Sequence, residues 1–156
     1  MNQRGDILGR YTVDGVTRGY LLVGFRPGCV ASVPRIAGTG GAPAVTHSSD
    51  FTLVTSAKPA SAGEVLSIFA TGLGPTRPAV DPGQPFPASP PSAVSSPVEV
   101  RVSGKPAELL GAVGLPGAVD GYQVNFRVPA DTVKGLATIQ LSTALVMGAQ
   151  VSIMVQ

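Results

Sequence analysis

The segment that decides the fold is residues 121–129, Gly-Tyr-Gln-Val-Asn-Phe-Arg-Val-Pro. Its apolar side chains alternate with polar ones, and a period of two places the two sets on opposite faces of an extended strand. Glycine begins the segment and proline ends it, because proline has no N–H to give to a neighbouring strand. We therefore expect a central strand that turns four side chains towards a hydrophobic core: Tyr122, Val124, Phe126 and Val128.

Other short strand-like segments occur at regular intervals around this one. They are residues 51–57, 64–70, 98–102, 107–113, 137–141 and 151–155. Turn residues separate them, and no segment has the apolar periodicity of a helix of about ten residues or more. The turn cluster at 58–63 predicts that 51–57 and 64–70 are neighbours, and the turn at 104–106 predicts a hairpin of 98–102 with 107–113. Seven such strands indicate an all-β, antiparallel sandwich rather than a βαβ plan.

The first 50 residues differ in character from the rest. Residues 7–13 and 16–23 flank Asp14-Gly15, a dipeptide that favours a type I′ turn, so residues 1–26 are expected to form a β-hairpin. Residues 27–50 are rich in Gly, Pro, Ser, Thr and Ala without periodicity, which is typical of a flexible linker. The predicted organisation is a hairpin at 1–26, a linker at 27–50 and a β-sandwich domain at 51–156.

Charge and hydropathy exclude several classes of partner. The net charge is only +2, and the eleven Lys and Arg residues are scattered without a run, so no nucleic-acid partner is expected. No apolar run approaches the ~20 residues that span a bilayer, so no membrane span is expected. Residues 1–6 lack the charged and apolar blocks of a signal peptide. Cys29 is the only cysteine and cannot form an intrachain disulfide.

Candidate chemistry is sparse. His47, the only histidine, stands beside Ser48, Ser49 and Asp50, but a catalytic triad is assembled from separate rigid elements and not from neighbours in a polar linker. One His, one Cys and isolated carboxylates give no zinc pattern, and calcium held by loop carbonyls is the open alternative. We therefore expect no catalytic residue, no metal ligand and no cofactor, and the sequence predicts that the chain is not an enzyme.

Residues 72–74, Gly-Leu-Gly, resemble a phosphate-binding loop only superficially. Such a loop needs a helix that starts just after the glycines, and the prolines at 75 and 78 prevent that helix. We expect the glycines to form a positive-φ corner and Leu73 to fill the edge of the sandwich.

The region 75–97 contains prolines at 75, 78, 82, 85, 87, 90, 91 and 97 and predicts a long, exposed, extended loop. Phe86 is the aromatic residue in this loop that we expect to be exposed. Phe86 and Arg77 are the candidate ligand contacts, for polysaccharide or peptide.

Four ordered blocks carry a resemblance to a known family. They are residues 62–75 (Ala-Gly-Glu-Val-Leu-Ser-Ile-Phe-Ala-Thr-Gly-Leu-Gly-Pro), 98–107 (Val-Glu-Val-Arg-Val-Ser-Gly-Lys-Pro-Ala), 121–130 and 135–141. Over residues ~55–156 the chain resembles the Ig-like, IPT/TIG-related C-terminal domain of large exported proteins of soil bacteria. This resemblance implies an Ig-like antiparallel β-sandwich of about seven strands, preceded here by the hairpin and the linker.

A second resemblance covers the predicted hairpin. Residues 2–11 (Asn-Gln-Arg-Gly-Asp-Ile-Leu-Gly-Arg-Tyr) and 14–22 (Asp-Gly-Val-Thr-Arg-Gly-Tyr-Leu-Leu) are similar to one unit of the HAF extracellular repeat. Arg18 stands where that family usually has His, and Tyr20 where it has Phe. Because these repeats normally occur in tandem, the single unit suggests the tail of a longer protein.

The two resemblances imply a function without a reaction. We expect a non-catalytic module at the C-terminus of an exported or surface-associated bacterial protein, acting in attachment, spacing or protein interaction. The implied location is extracellular or on the cell surface, and the implied partners are protein or cell-surface polysaccharide. The alternative is a polysaccharide- or peptide-binding module that uses the loop 75–97.

Overall fold

The computed structural model describes residues 7–13, 16–22, 33–39, 42–144 and 146–156. The chain divides into two compact units, Met1–Ala31 and Ser32–Gln156. In the first unit, β1 (Ile7–Val13) and β2 (Val16–Leu22) pair antiparallel along their whole length. The turn predicted at 14–15, Cys29 and the predicted linker residues 27–32 lie outside the described residues.

The second unit contains two antiparallel sheets and one very short hairpin. Its strands are β3 (Arg35–Ile36), β4 (Gly38–Thr39), β5 (Ala42–Pro43), β6 (Val45–His47), β7 (Val65–Thr71), β8 (Thr76–Arg77), β9 (Ala93–Val94), β10 (Val98–Val102), β11 (Lys105–Pro106), β12 (Glu108–Gly114), β13 (Gly121–Arg127), β14 (Gly135–Thr143) and β15 (Val146–Val155). The larger sheet has the order β3-β7-β13-β12-β9-β8, with β6 also paired to β7. The smaller sheet has the order β11-β10-β14-β15, and β4 pairs only with β5.

The strand order is that of an Ig-like sandwich. The strands β6, β7, β13 and β12 lie in the positions A, B, E and D of a constant-type Ig domain, and β10, β14 and β15 lie in the positions C, F and G. These seven are the strands of three residues or more in the described part of this unit. The predicted all-β sandwich is therefore confirmed.

The central strand was predicted correctly. β13 lies between β7 and β12, and Tyr122, Val124, Phe126 and Val128 are all buried. The alternate residues of the strand are half-buried or exposed. Side chains of the smaller sheet complete the core from the other side: Val100, Val102, Ala137, Ile139, Leu141, Ile153 and Val155.

The structure differs from the predicted linker between residues 33 and 50. β3 and β6 both pair with β7, one after the other, as two halves of an interrupted edge strand. Phe69 bonds to both halves, since its carbonyl accepts from the Ala37 amide (2.8 Å) and its amide donates to the Ala44 carbonyl (3.0 Å). Between these halves, β4 and β5 pair with each other and not with the larger sheet. Val45 is fully buried, so this segment belongs to the sandwich.

Two predicted strand pairings also differ from those in the structure. The hairpin after β10 is closed by β11 alone, and β12 crosses to the larger sheet, where it pairs with β13. Residues 51–57 do not form a strand; Leu53 makes a single bridge to Thr46. The chain then crosses between the sheets, and Ala60 pairs in parallel with Val155 of β15.

The corner after β7 agrees with its prediction. Gly72 and Gly74 have φ angles of 76° and 85°, and Leu73 between them is fully buried.

No helix in the described ranges is long and apolar enough to cross a bilayer.

Candidate functional site

A pocket lies where residues 47–64 extend from β6 of the larger sheet to the smaller sheet at Ala60 and return to the larger sheet at β7. Its volume is about 610 Å³, and it opens broadly to solvent. Its polar lining consists of His47, Ser49, Lys58, Ser61, Glu64 and Gln156, and small alanine, proline and glycine residues between 57 and 63 form the rest of the wall. A concave site of this size is in the range that binds small molecules or parts of larger ones.

His47 forms the buried floor of this pocket. It is the last residue of β6, and its side chain lies on the same face as Leu66, its partner on β7. Its Nδ1 lies 2.6 Å from Glu64 Oε1, and its Nε2 lies 3.3 Å from the Lys58 carbonyl oxygen. The other carboxylate oxygen of Glu64 accepts from the Ser61 amide at 2.8 Å. Both ring nitrogens therefore face oxygen acceptors that belong to the fold.

This arrangement does not form a nucleophile with its base. A catalytic base needs a ring nitrogen within hydrogen-bond reach of a hydroxyl group. Ser48 instead pairs with the Ser67 hydroxyl at 2.8 Å, and Asp50 bonds to Thr52 and Lys58. The neighbouring Ser, His and Asp residues are thus directed to separate partners, and His47 joins the crossing segment to the sheet.

The turn after β6 is held by an ion pair between Lys58 and Asp50. Lys58 Nζ donates to Asp50 Oδ2 at 2.5 Å and to Thr52 Oγ1 at 2.6 Å. Asp50 Oδ1 accepts from the Thr52 amide at 3.0 Å and from the Thr52 hydroxyl at 2.7 Å. The Lys58 ammonium, and then the Thr52 donors, hold the pKa of Asp50 well below its usual range. The carboxylate stays ionised at ordinary pH and pins the turn.

Phe51 occupies an unfavourable backbone conformation in this turn. Its φ is +56°, in the left-handed region that favours glycine, and its side chain is 57% exposed. Left-handed backbone in a bulky residue costs roughly 1–2 kcal/mol. The Phe51 amide donates to the His47 carbonyl at 2.8 Å, and the His47 amide donates to the Thr52 carbonyl at 2.9 Å. The surrounding bonds therefore force the conformation, and an aromatic ring is presented to solvent.

Phe86, predicted as an exposed ligand contact, is buried instead. Its side chain is only 7% exposed, and its ring centroid lies 5.1 Å from that of Tyr122 at an angle of 58°. The ring lies directly over Gly114, where a β-carbon would come within 2.4 Å of it. The expectation of exposure is wrong because Gly114 leaves room for the ring inside the sandwich. Phe86 is not available as a stacking platform.

Arg77, the other predicted contact, is exposed on β8. It is separated in the sheet from the turn of Phe51 by β9, β12, β13 and β7. The structure therefore does not bring Arg77 together with the pocket, and its contact with a ligand stays a prediction.

Tyr122 of β13 is buried, and its hydroxyl lies beside the glycine corner that follows β7. The hydroxyl donates to the Gly74 carbonyl at 2.7 Å. Burial, and then the nearby charge of Asp120, raises the pKa of Tyr122 to about 12. The hydroxyl is thus a structural donor that ties β13 to the glycine corner.

Sequence reasoning missed Lys58 and Glu64 as members of one pocket, and Phe51 as an exposed residue of the turn that also carries Ser49 of the pocket wall. In the part of the chain that the structure describes, no three His, Cys, Asp or Glu side chains come together as a metal site would require. Comparisons with models of known families and with curated proteins gave no match.

Proposed function

We propose that the chain is a non-catalytic module of an exported or surface-associated bacterial protein, in which the sandwich serves attachment, spacing or protein interaction. The observation that carries the non-catalytic part is the state of His47. Both ring nitrogens are used by Glu64 and the Lys58 carbonyl, so the pocket lacks a free base beside a hydroxyl nucleophile.

The location part of the proposal is supported by sequence resemblance. Residues ~55–156 resemble the IPT/TIG-related C-terminal domain, and residues ~2–22 resemble one HAF repeat. The Ig-like strand order is compatible with the first of these relationships, and both families imply export. Fold alone does not imply function, so the location is tested separately.

Protease accessibility tests the location. A C-terminal epitope tag is added to the chromosomal gene that encodes this chain in its native bacterial host, so that the natural gene product carries the tag, and intact cells are treated with protease. We expect the tag to be lost from intact cells or to appear in the medium, while a cytosolic marker protein stays intact. A tag that is protected until the cells are lysed, and is then found with the soluble cytosolic proteins, contradicts the proposal.

A ligand site in the loop 75–97 receives less support. Phe86 was the aromatic residue on which that alternative depended, and it is packed against Gly114 and Tyr122. The exposed Arg77 alone does not distinguish a ligand site from an ordinary solvated surface.

A further inference from the structure

We propose that the pocket at residues 47–64, together with Phe51, binds a neutral glycan, with the Phe51 ring stacking on a sugar. This inference rests on the proposed function, because it names the ligand class of an attachment module. It assigns the contact to a turn that precedes β7 and not to the loop 75–97.

The first argument is the exposure of Phe51 despite its backbone strain. Asparagine or glycine would occupy a φ of +56° with less strain. Burial does not account for a phenylalanine here, because 57% of the surface of the residue is exposed to solvent. Strained residues that the surrounding structure holds in place are concentrated at ligand contacts, and exposed aromatic residues act as anchors for binding.

The second argument is the rigidity of the turn. The Phe51 amide is bonded to His47, and the residues on either side of Phe51 are joined by the Asp50–Thr52 bonds. Lys58, from across the crossing segment, bonds to both of them. A contact residue on a rigid turn loses little conformational entropy on binding, so the ring is pre-organised for a ligand.

The third argument is the charge of the pocket, which indicates an uncharged ligand. The ionisable side chains of the lining are His47, Lys58 and Glu64. The Glu64 carboxylate is bonded to the His47 ring and the Ser61 amide, and Lys58 pairs with Asp50, so the charged groups of the lining already have partners within the fold. An acidic or basic ligand would have to compete with these pairs for its counter-charge, whereas a neutral ligand leaves them intact.

The fourth argument is the chemistry of the wall. Ser49, Ser61 and Gln156 offer hydroxyl and amide groups, and the small alanine and proline residues offer flat apolar surface. Sugars present both hydroxyl groups and C–H faces, and this site offers a polar wall and, two residues after Ser49 in the same turn, an exposed aromatic ring. A protein partner would favour a larger apolar surface around the ring than this pocket supplies.

Calorimetry with polysaccharides tests the proposal on the full chain. The titrants are three neutral soluble polymers, mixed-linkage β-glucan, xyloglucan and galactomannan, with polygalacturonate as the anionic comparison. We expect binding to at least one neutral polymer and weaker or no binding to polygalacturonate. Phe51→Asn should weaken that binding by about tenfold or more, while Phe51→Tyr retains it.

Two controls separate loss of the ring from loss of the fold. Asparagine tolerates a positive φ, so Phe51→Asn should unfold at the same temperature as the wild type or higher. Val133→Asn removes an apolar side chain that is 81% exposed elsewhere in the unit, and it should bind as the wild type does. The proposal is overturned if no neutral polymer binds, if polygalacturonate alone binds, or if Phe51→Asn binds as tightly as the wild type.

The same samples distinguish this inference from the proposed function. New reducing ends are measured in each polymer after incubation with the protein. Their appearance would contradict the non-catalytic function even if binding depends on Phe51. If the protein neither binds nor cleaves any of the polymers, the glycan inference is wrong. The proposed surface location is unaffected by that result and is decided by the protease experiment.

Discussion

Replacing Phe86 with alanine is the sharpest test of the packing described here. If Phe86 were an exposed loop residue, its replacement would change the free energy of unfolding by less than about 0.5 kcal/mol. Phe86 is only 7% exposed, and its ring packs against that of Tyr122 with 5.1 Å between the centroids and a tilt of 58°. Removing a buried phenylalanine costs about 3–5 kcal/mol, and an aromatic pair contributes ~0.5–1.5 kcal/mol beyond its area. We expect Phe86→Ala to cost about 3–5 kcal/mol, a range that already includes the lost contacts of the ring.

Gly114→Ala supplies the matched perturbation from the opposite side of the contact. The new β-carbon would lie 2.4–2.7 Å from three atoms of the Phe86 ring, so the ring must move. Overpacking of this kind costs about 1–3 kcal/mol. In the double variant the clash disappears and the added methyl group fills part of the cavity. The losses in unfolding free energy of the two single variants should therefore not add. The loss in the double variant should be smaller than the sum of the two single losses by about 1 kcal/mol or more.

Urea unfolding of the wild type, the two single variants and the double variant gives all four free energies. The reasoning is refuted if Phe86→Ala is nearly silent, because Phe86 would then be the exposed residue that its proline-rich surroundings predict. It is also refuted if the two single costs add, because the ring would then not lie over Gly114.

The remaining predictions concern the edge strand, the outer face and pH. The fragment 33–156 should melt cooperatively, whereas 49–156, which lacks β6, should melt at a clearly lower temperature; equal melting would mean that β6 contributes nothing. Asn125→Ser should cost about 1 kcal/mol in urea unfolding, because Asn125 accepts from the buried Ser67 hydroxyl at 2.9 Å; a silent change would show that this bond is unimportant. Because the folded pKa of Tyr122 is raised to about 12 from an unfolded value near 10, the stability from its neutral hydroxyl is complete below pH ~10 and is lost as pH rises towards 12. Tyr122→Phe should remove that loss in unfolding measured across this range, and an unchanged pH dependence would contradict the assignment.

The strand pattern could be predicted where one segment carried enough residues to show its period. β13 has seven residues with a two-residue alternation, and its buried face follows directly from it. β6 has three residues, which is too few to show a period, and glycine, proline and serine surround it. Its stability comes from pairing with β7, a partner far away in sequence. The local composition therefore predicted a linker from the residues on either side of β6 and did not reveal the strand itself.

Two aromatic residues show why the site could not be read from the sequence. Prolines around Phe86 indicated an exposed loop, but the burial of its ring depends on the missing side chain of Gly114, which is remote in sequence. Phe51 is an aromatic residue of the kind that is common in strands, and the residue types around it do not indicate that its φ is positive. In both cases the deciding quantity is a tertiary contact or a backbone angle.

The position of the pocket follows from how the crossing segment is attached. At one end β6 pairs with β7 of the larger sheet, and at the other end Ala60 donates its amide to the Met154 carbonyl and accepts from the Gln156 amide in the smaller sheet. Between these attachments the backbone is released from the regular pairing of a strand, so side chains can converge on a concave surface. His47, where the chain leaves β6, and Glu64, where it returns to β7, then close the pocket with their 2.6 Å contact. A rigid scaffold that holds an irregular segment at both ends is the usual setting for a binding site, and here the two sheets provide it.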